Sequence, residues 1–146
     1  MEKVSALKIE DFKEGKSYSF EKTVTAADID VFAAITGDIS PLHMSDEFAR
    51  ARGFKGRVAH GVLLAGFVSK IIGVDFPGEN CLLQTMSLKF STPCYAGDTL
   101  RITASVSQVS TAAGAVVLDI VIENAADRVT VAKGKAQVGF TKTTGK

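Results

Sequence analysis

The sequence lacks a charge excess of either sign. Its 17 lysines and arginines face 16 aspartates and glutamates, so no basic footprint for DNA or RNA is present and a nucleic-acid partner is not expected. Cysteine is scarce. Cys81 and Cys94 form no CxxC pair and are expected to be reduced and buried or half-buried rather than bridged. No long hydrophobic run exists either. The longest, at 62–74, is broken by Lys70 and is too short to span a bilayer, so no membrane partner is expected. The opening residues carry no apolar segment of a secretory leader, which makes a reduced, cytoplasmic setting the expected one. There is no linker, low-complexity tract or internal repeat. The 146 residues read as one domain, 1–146, large enough to bury its own core. Metal-ligand spacing such as HxxxH is also missing, so no metal site is expected.

What is present divides into a helical first half and a strand-rich second half. A strand is expected at 17–24. Thr25 then reads as a helix N-cap, with Asp28 completing a capping box three residues on. Ile29, Phe32, Ala33 and either Ile35 or Thr36 follow at helical spacing. Gly37 fits the helix C-cap, and Pro41 bars continuation, so 38–44 is expected to be a tight, non-helical turn. Ser45 can cap a short helix over 46–51 that Gly53 ends. The segment 61–73, GVLLAGFVSKIIG, is apolar on nearly every face. Such a helix is buried, so something must wrap it.

The wrapping layer is expected downstream, in strands at 83–90, 99–109, 115–123 and 129–140. Leu100, Ile102, Ala104 and Val106 alternate in strand fashion. Gly97-Asp98, Ala113-Gly114 and 125–127 punctuate the gaps, a spacing that suits consecutive antiparallel strands joined by hairpins. A long buried helix against a curved antiparallel sheet is an α+β arrangement.

One short segment carries most of the chemistry. In 37–43, GDISPLH, a carboxylate and an imidazole stand five residues apart on one turn. A turn can aim both into one cleft, whereas a strand would place them on opposite faces. Imidazole exchanges protons near neutrality, and a carboxylate beside such a ring either strengthens it as a base or serves as the base itself. The second segment, 57–61 (RVAHG), leads straight into the apolar helix. A helix N-terminus offers unpaired amides and partial positive charge, and a glycine there lets a ligand oxygen approach the backbone. The plainer reading is that Gly61 permits close packing of helix on sheet.

Taken together, GDISPLH, the AHG at 59–61 and LQTMSLKFSTPCYAGDTL at 83–100 resemble the MaoC-like dehydratases, also called (R)-specific enoyl-CoA hydratases. The resemblance spans about residues 18–110. It implies a hot-dog fold, in which the sheet wraps the long helix, and a homodimer or higher homo-oligomer joined edge to edge. It implies a catalytic pair of Asp38 and His43, with Gly61, Ser69, Ser40 and His60 as oxyanion or substrate-binding residues. The backbone amide of Gly61 takes the thioester-oxygen role, and Ser69 matches a position near the catalytic carboxylate. A serine on a helix also often bonds its own helix carbonyl. The family pattern usually has asparagine where this chain has Ser40, a departure that bears on how the turn is braced.

The implied reaction is (R)-specific addition of water to a trans-2-enoyl-CoA, or the reverse dehydration. It needs no cofactor, because coenzyme A enters as part of the substrate. Arg50, Arg52, Lys55 and Arg57 crowd the approach to Gly61 and can meet coenzyme A phosphates or an acidic acyl carrier protein; such a run is also often a solvated loop face. Three other activities fit a hot-dog chain: a carrier-protein-linked 3-hydroxyacyl dehydratase, a non-catalytic acyl-thioester-binding protein, and a thioesterase. The last wants a carboxylate on the central helix, and 61–73 holds none.

Overall fold

The computed structural model describes residues 3–142 and 144; the ends of the expected domain, 1 and 146, lie outside them. Five strands form one antiparallel sheet: β1 (Ser17–Thr23), β2 (Cys81–Phe90), β3 (Thr99–Ser110), β4 (Ala115–Asn124) and β5 (Thr130–Phe140). Their spatial order is β1-β3-β4-β5-β2. Helices α1 (Ala26–Thr36), α2 (Pro41–Met44), α3 (Asp46–Arg50) and α4 (Gly61–Lys70) occupy the stretch between β1 and β2. This is a hot-dog fold.

The core is built by alternation. In β3, Leu100, Ile102, Ala104 and Val106 point inward, and Ile102 sits opposite Ile122 of β4 with both fully buried. A register shift between Val106 and Gln108 brings Val109 back to the core side, the usual effect of a bulge. Against this face α4 places Leu64 and Val68, which are 2% and 0% exposed. Each such side chain contributes about 1.5–3 kcal/mol by leaving water. Beyond Lys70 the chain makes a π-helical turn, Ile71–Asp75, that buries Ile71 and Ile72 as well.

Three sequence expectations need correction. First, α4 is not buried all round: Val62, Gly66 and Ser69 lie on an exposed face. One curved sheet covers one side of a helix, and covering the other takes another layer. Secondly, β2 and β3 are not a hairpin. They lie on different sides of the sheet, and the connection 91–98 crosses between them. Its backbone bonds go to three separate places: Ser91 N–H to Val131, the Cys94 carbonyl to Ala59, and Gly97 N–H to Val24. Turn residues mark where a strand ends but not which strand it pairs with next. Thirdly, 38–44 is not wholly non-helical. Pro41 opens α2 at its first position, where the missing N–H costs nothing and the fixed φ suits a helix.

The helix signals at α1 hold. The Thr25 hydroxyl accepts from Asp28 N–H at 3.1 Å, and the Asp28 carboxylate accepts from Thr25 N–H at 2.9 Å. Gly37 closes the helix in the left-handed region, at φ 77°, with its N–H on the Ala33 carbonyl. The cysteines are free, Cys94 buried and Cys81 half-buried. Burial and the neighbouring Asp98 charge push the Cys94 thiol up to about 12. No helix among the described residues is long and apolar enough to cross a membrane.

Candidate active site

Asp38 follows directly from the left-handed glycine that ends α1, and His43 sits within α2. The turn between them is laced by backbone bonds. Ser40 N–H reaches the Asp38 carboxylate at 3.3 Å, and His43 N–H reaches the Ser40 carbonyl at 2.8 Å. These bonds curl the chain back so that His43 Nε2 lies 3.9 Å from an Asp38 carboxylate oxygen. The Asp38 side chain is about half exposed, at 49%, while that of His43 is 16% exposed.

The His43 ring is held by the backbone. Its Nδ1 lies 2.6 Å from the carbonyl of Val58. A carbonyl only accepts, so Nδ1 carries a proton and donates it. In the neutral ring the lone pair is therefore on Nε2, the nitrogen that faces Asp38. No sequence signal marks Val58 for this task, because any residue has a carbonyl.

His60 is buried, 2% exposed. Its Nε2 donates to the backbone carbonyl of Asp38 at 2.9 Å. Its ring stacks on that of His43, with centroids 3.9 Å apart and planes 30° apart, and packs against Phe32 on another side at 4.7 Å. Asp38, His43 and His60 offer ligand atoms within 4.8 Å of one another. Each imidazole already commits one nitrogen to a backbone carbonyl.

Gly61 is the first residue of α4. Its amide, like that of Val62, has no acceptor outside the helix among the described residues, and at that position a helix supplies none inside. Gly61 and His43 line one cavity of about 370 Å³ with Leu64 and Phe90. A Cβ on Gly61 would lie 3.2 Å from the Phe90 ring. The glycine thus packs tightly against Phe90 and also lines the cavity. A larger cavity, about 630 Å³, lies beside it and shares Thr92 and Pro93. It contains neither Asp38 nor His43. Its charged lining balances, with Arg50, Lys55 and Arg57 against Asp46, Asp98 and Asp127. The smaller cavity is the one lined by His43 and by the first residue of α4, and Asp38 lines neither.

The remaining site candidates separate. Ser69 lies on the exposed face of α4 with Val62. Its hydroxyl has no hydrogen bond among the described residues, neither to Asp38 nor to its own helix. The Ser40 hydroxyl likewise makes no capping bond; Ser40 braces the turn through its backbone. Arg57 is heavily engaged. Its Nε donates to the His43 carbonyl at 2.5 Å, its guanidinium pairs with Asp30, and its N–H donates to the Asp46 carboxylate at 2.8 Å. Arg52 stacks on Phe48, Arg50 bonds the Lys55 carbonyl, and Lys55 lies over Tyr95. The basic run is therefore not a row of free cations. The strut role of Arg57 was hidden in the sequence because Asp30 stands 27 positions away.

Comparison with known proteins places the family and the fold. Residues 11–123 match the family described as MaoC like domain. An (R)-specific enoyl-CoA hydratase of Rhodospirillum rubrum is 42% identical over 98 residues, covering 67% of this chain and 68% of that protein. A 3-hydroxybutyryl-CoA dehydratase of Methylorubrum extorquens is 33% identical, covering 70% of this chain and 66% of its own. The aligned stretches thus span about two thirds of each relative. Among solved structures, the (R)-hydratase from Aeromonas caviae involved in PHA biosynthesis superposes with a TM-score of 0.85 at 27% identity, over 90% of this chain and 98% of that one. An unliganded R-hydratase from Pseudomonas aeruginosa gives a TM-score of 0.88 at 25% identity, over 95% and 88%. Fold and site define a hot-dog scaffold on which a carboxylate and an imidazole face each other at 3.9 Å, with a helix N-terminus on the cavity that the imidazole lines. The chain belongs to the MaoC-like dehydratase family. Its homologues named here are hydro-lyases.

Proposed function

We propose that the protein adds water to a trans-2-enoyl-CoA to give an (R)-3-hydroxyacyl-CoA, or runs the reverse dehydration, with Asp38 and His43 as the catalytic pair. The observation that carries this reading is the spacing of the pair. Their facing atoms are 3.9 Å apart, too far for a direct hydrogen bond and suited to one water oxygen about 2.8 Å from each. In the forward direction that oxygen bonds the β-carbon. The proton it gives up is taken by the pair and passed on to the α-carbon, so that water supplies both added groups and the pair ends in the protonation state in which it began. Negative charge that builds on the thioester oxygen is met by the Gly61 amide. Acid–base groups placed this way contribute about 10²–10⁴-fold, and one oxyanion donor about 10²–10³-fold. No metal or other cofactor enters these steps.

Two features support a homodimer. Strand β2 is a long sheet edge open to pairing, and Leu82 on it is 65% exposed; such an edge is ordinarily paired or protected. Val62 of α4 and Ile35 of α1 are exposed apolar residues as well. For the carrier, Lys55 and Arg50 remain the basic residues able to reach a phosphate, since Arg57 is committed within the chain. A cytoplasmic setting suits two free cysteines.

The test is crotonyl-CoA hydration, followed as loss of the conjugated enoyl absorbance, for wild type, Asp38→Asn and His43→Ala. Turnover by wild type with at least about a hundredfold loss in each variant is expected. Wild type inactive on short and long enoyl-CoA alike would sink the coenzyme A reading in favour of a carrier-protein dehydratase or a binding protein.

A further inference from the structure

Segment 57–60 is bonded to the catalytic turn at four points. Arg57 Nε donates to the His43 carbonyl at 2.5 Å, and Val58 N–H to the Leu42 carbonyl at 3.1 Å. The Val58 carbonyl receives His43 Nδ1–H at 2.6 Å, and His60 Nε2 donates to the Asp38 carbonyl at 2.9 Å. Three of these bonds hold the histidine side of the turn. The fourth is the one that reaches Asp38.

We propose that His60 is a positioning residue that sets the gap between Asp38 and His43, and that it does not touch the substrate. This deepens the hydratase reading and rests on it. The gap of 3.9 Å is spanned by no direct bond, so the scaffold must fix it. His60 touches both members: it bonds the Asp38 backbone and stacks on the His43 ring at 3.9 Å. The other restraints on Asp38 are weak. Its N–H meets the Thr36 hydroxyl at 3.2 Å and its carboxylate meets Ser40 N–H at 3.3 Å, both in exposed positions.

The second nitrogen of His60 points the same way. Nδ1 is buried and has no hydrogen-bond partner among the described residues. A buried acceptor left unpaired is destabilising, so an apolar residue of similar shape would serve the fold alone better. An imidazole at this place makes sense for the sake of its Nε2–H. The same facts separate His60 from the oxyanion or substrate-binding role that the family resemblance implied. Its one donor is spent on Asp38, and the ring is sealed between His43 and Phe32.

The test compares His60→Leu and His60→Gln with wild type, using crotonyl-CoA kinetics and ¹⁵N NMR of the imidazoles. Glutamine can place an amide N–H near the reach of Nε2; leucine fills the space without a donor. The expected result is a loss in kcat of about thirtyfold or more for His60→Leu, with KM within about threefold, because a misplaced reacting group costs turnover rather than binding. His60→Gln should recover kcat to within about fivefold of wild type. Wild-type kcat in His60→Leu, or equal loss in both variants, overturns the proposal. If His60→Leu does not fold, His60→Gln and the NMR carry the test. In wild type the neutral ring of His60 should hold its proton on Nε2, and a proton on Nδ1 overturns the proposal whatever the turnover. Wild type without turnover but with the Nε2–H tautomer defeats the hydratase reading and upholds the bond to Asp38.

Discussion

Nε2 of His43 and Oδ2 of Asp38 face each other across 3.9 Å with no bond between them, while Nδ1 of the same ring is tied at 2.6 Å to the Val58 carbonyl. One nitrogen is spent on the scaffold so that the other is free toward the carboxylate. Two groups that handle one water act as a unit, and their losses should not add. The double variant Asp38→Asn/His43→Ala is expected to be about as slow as the slower single variant. A double loss equal to the product of the single losses would mean that the two residues act in separate steps.

Gly61 owes part of its identity to Phe90. An added methyl would lie 3.2 Å from the Phe90 ring, so the ring or the helix N-terminus must shift. Gly61→Ala keeps the amide but moves it, and about a tenfold loss in kcat is expected. Replacing Phe90 by Leu in the same chain should restore most of that activity by making room. Failure of Phe90→Leu to rescue, with the helix otherwise intact, would show that the glycine matters for some reason other than this contact.

Arg57 joins three segments through Asp30, the His43 carbonyl and the Asp46 carboxylate. Lysine keeps the charge but lacks the planar fork that makes several bonds at once. Arg57→Lys should cost about 1.5 kcal/mol, lowering the thermal midpoint by about 5 °C, and should slow turnover with little change in the salt dependence of KM. A rise in KM for the coenzyme A thioester with stability intact would return Arg57 to the phosphate-binding role.

Asp28 supplies a pH-dependent element of stability. Burial pushes its carboxyl up, but the Thr25 amide and hydroxyl and the Lys22 ammonium together outweigh this and hold it below the usual range. A folded value below the unfolded one, about 3.9, adds stability above that pH, which is lost as pH falls through the folded value. Asp28→Asn should therefore be less stable than wild type in urea at pH 7, and the difference should narrow as pH falls below about 4. A difference that persists unchanged at low pH would mean that the charge is not what the cap uses.

Much of the site was legible before any tertiary contact was known. GDISPLH brings Asp38 and His43 to within 3.9 Å because a turn bounded by Gly37 and Pro41 folds the two polar side chains toward each other. The capping box at Thr25 and Asp28 reads directly, since its partners are three residues apart. Less legible were groups whose role depends on a distant partner. Ser69 matched a family position, yet lies on an exposed helix face with no bond, because a helix period gives the face but not what stands opposite.

The sequence by itself determined the local elements: the strand alternation of Leu100 to Val106, the caps of α1, the short helix after Ser45, and the carboxylate and imidazole that share the turn after Gly37. These rest on interactions within a few residues, which order in the chain dictates. Tertiary structure alone decided that β2 pairs with β5, that the sheet covers only one face of α4, that Arg57 is a strut, and that Val58 and His60 are bonded to the Asp38–His43 turn. Each of these joins residues far apart in the chain, and the bonds that fix the turn run to backbone carbonyls, which every residue carries and no sequence pattern distinguishes.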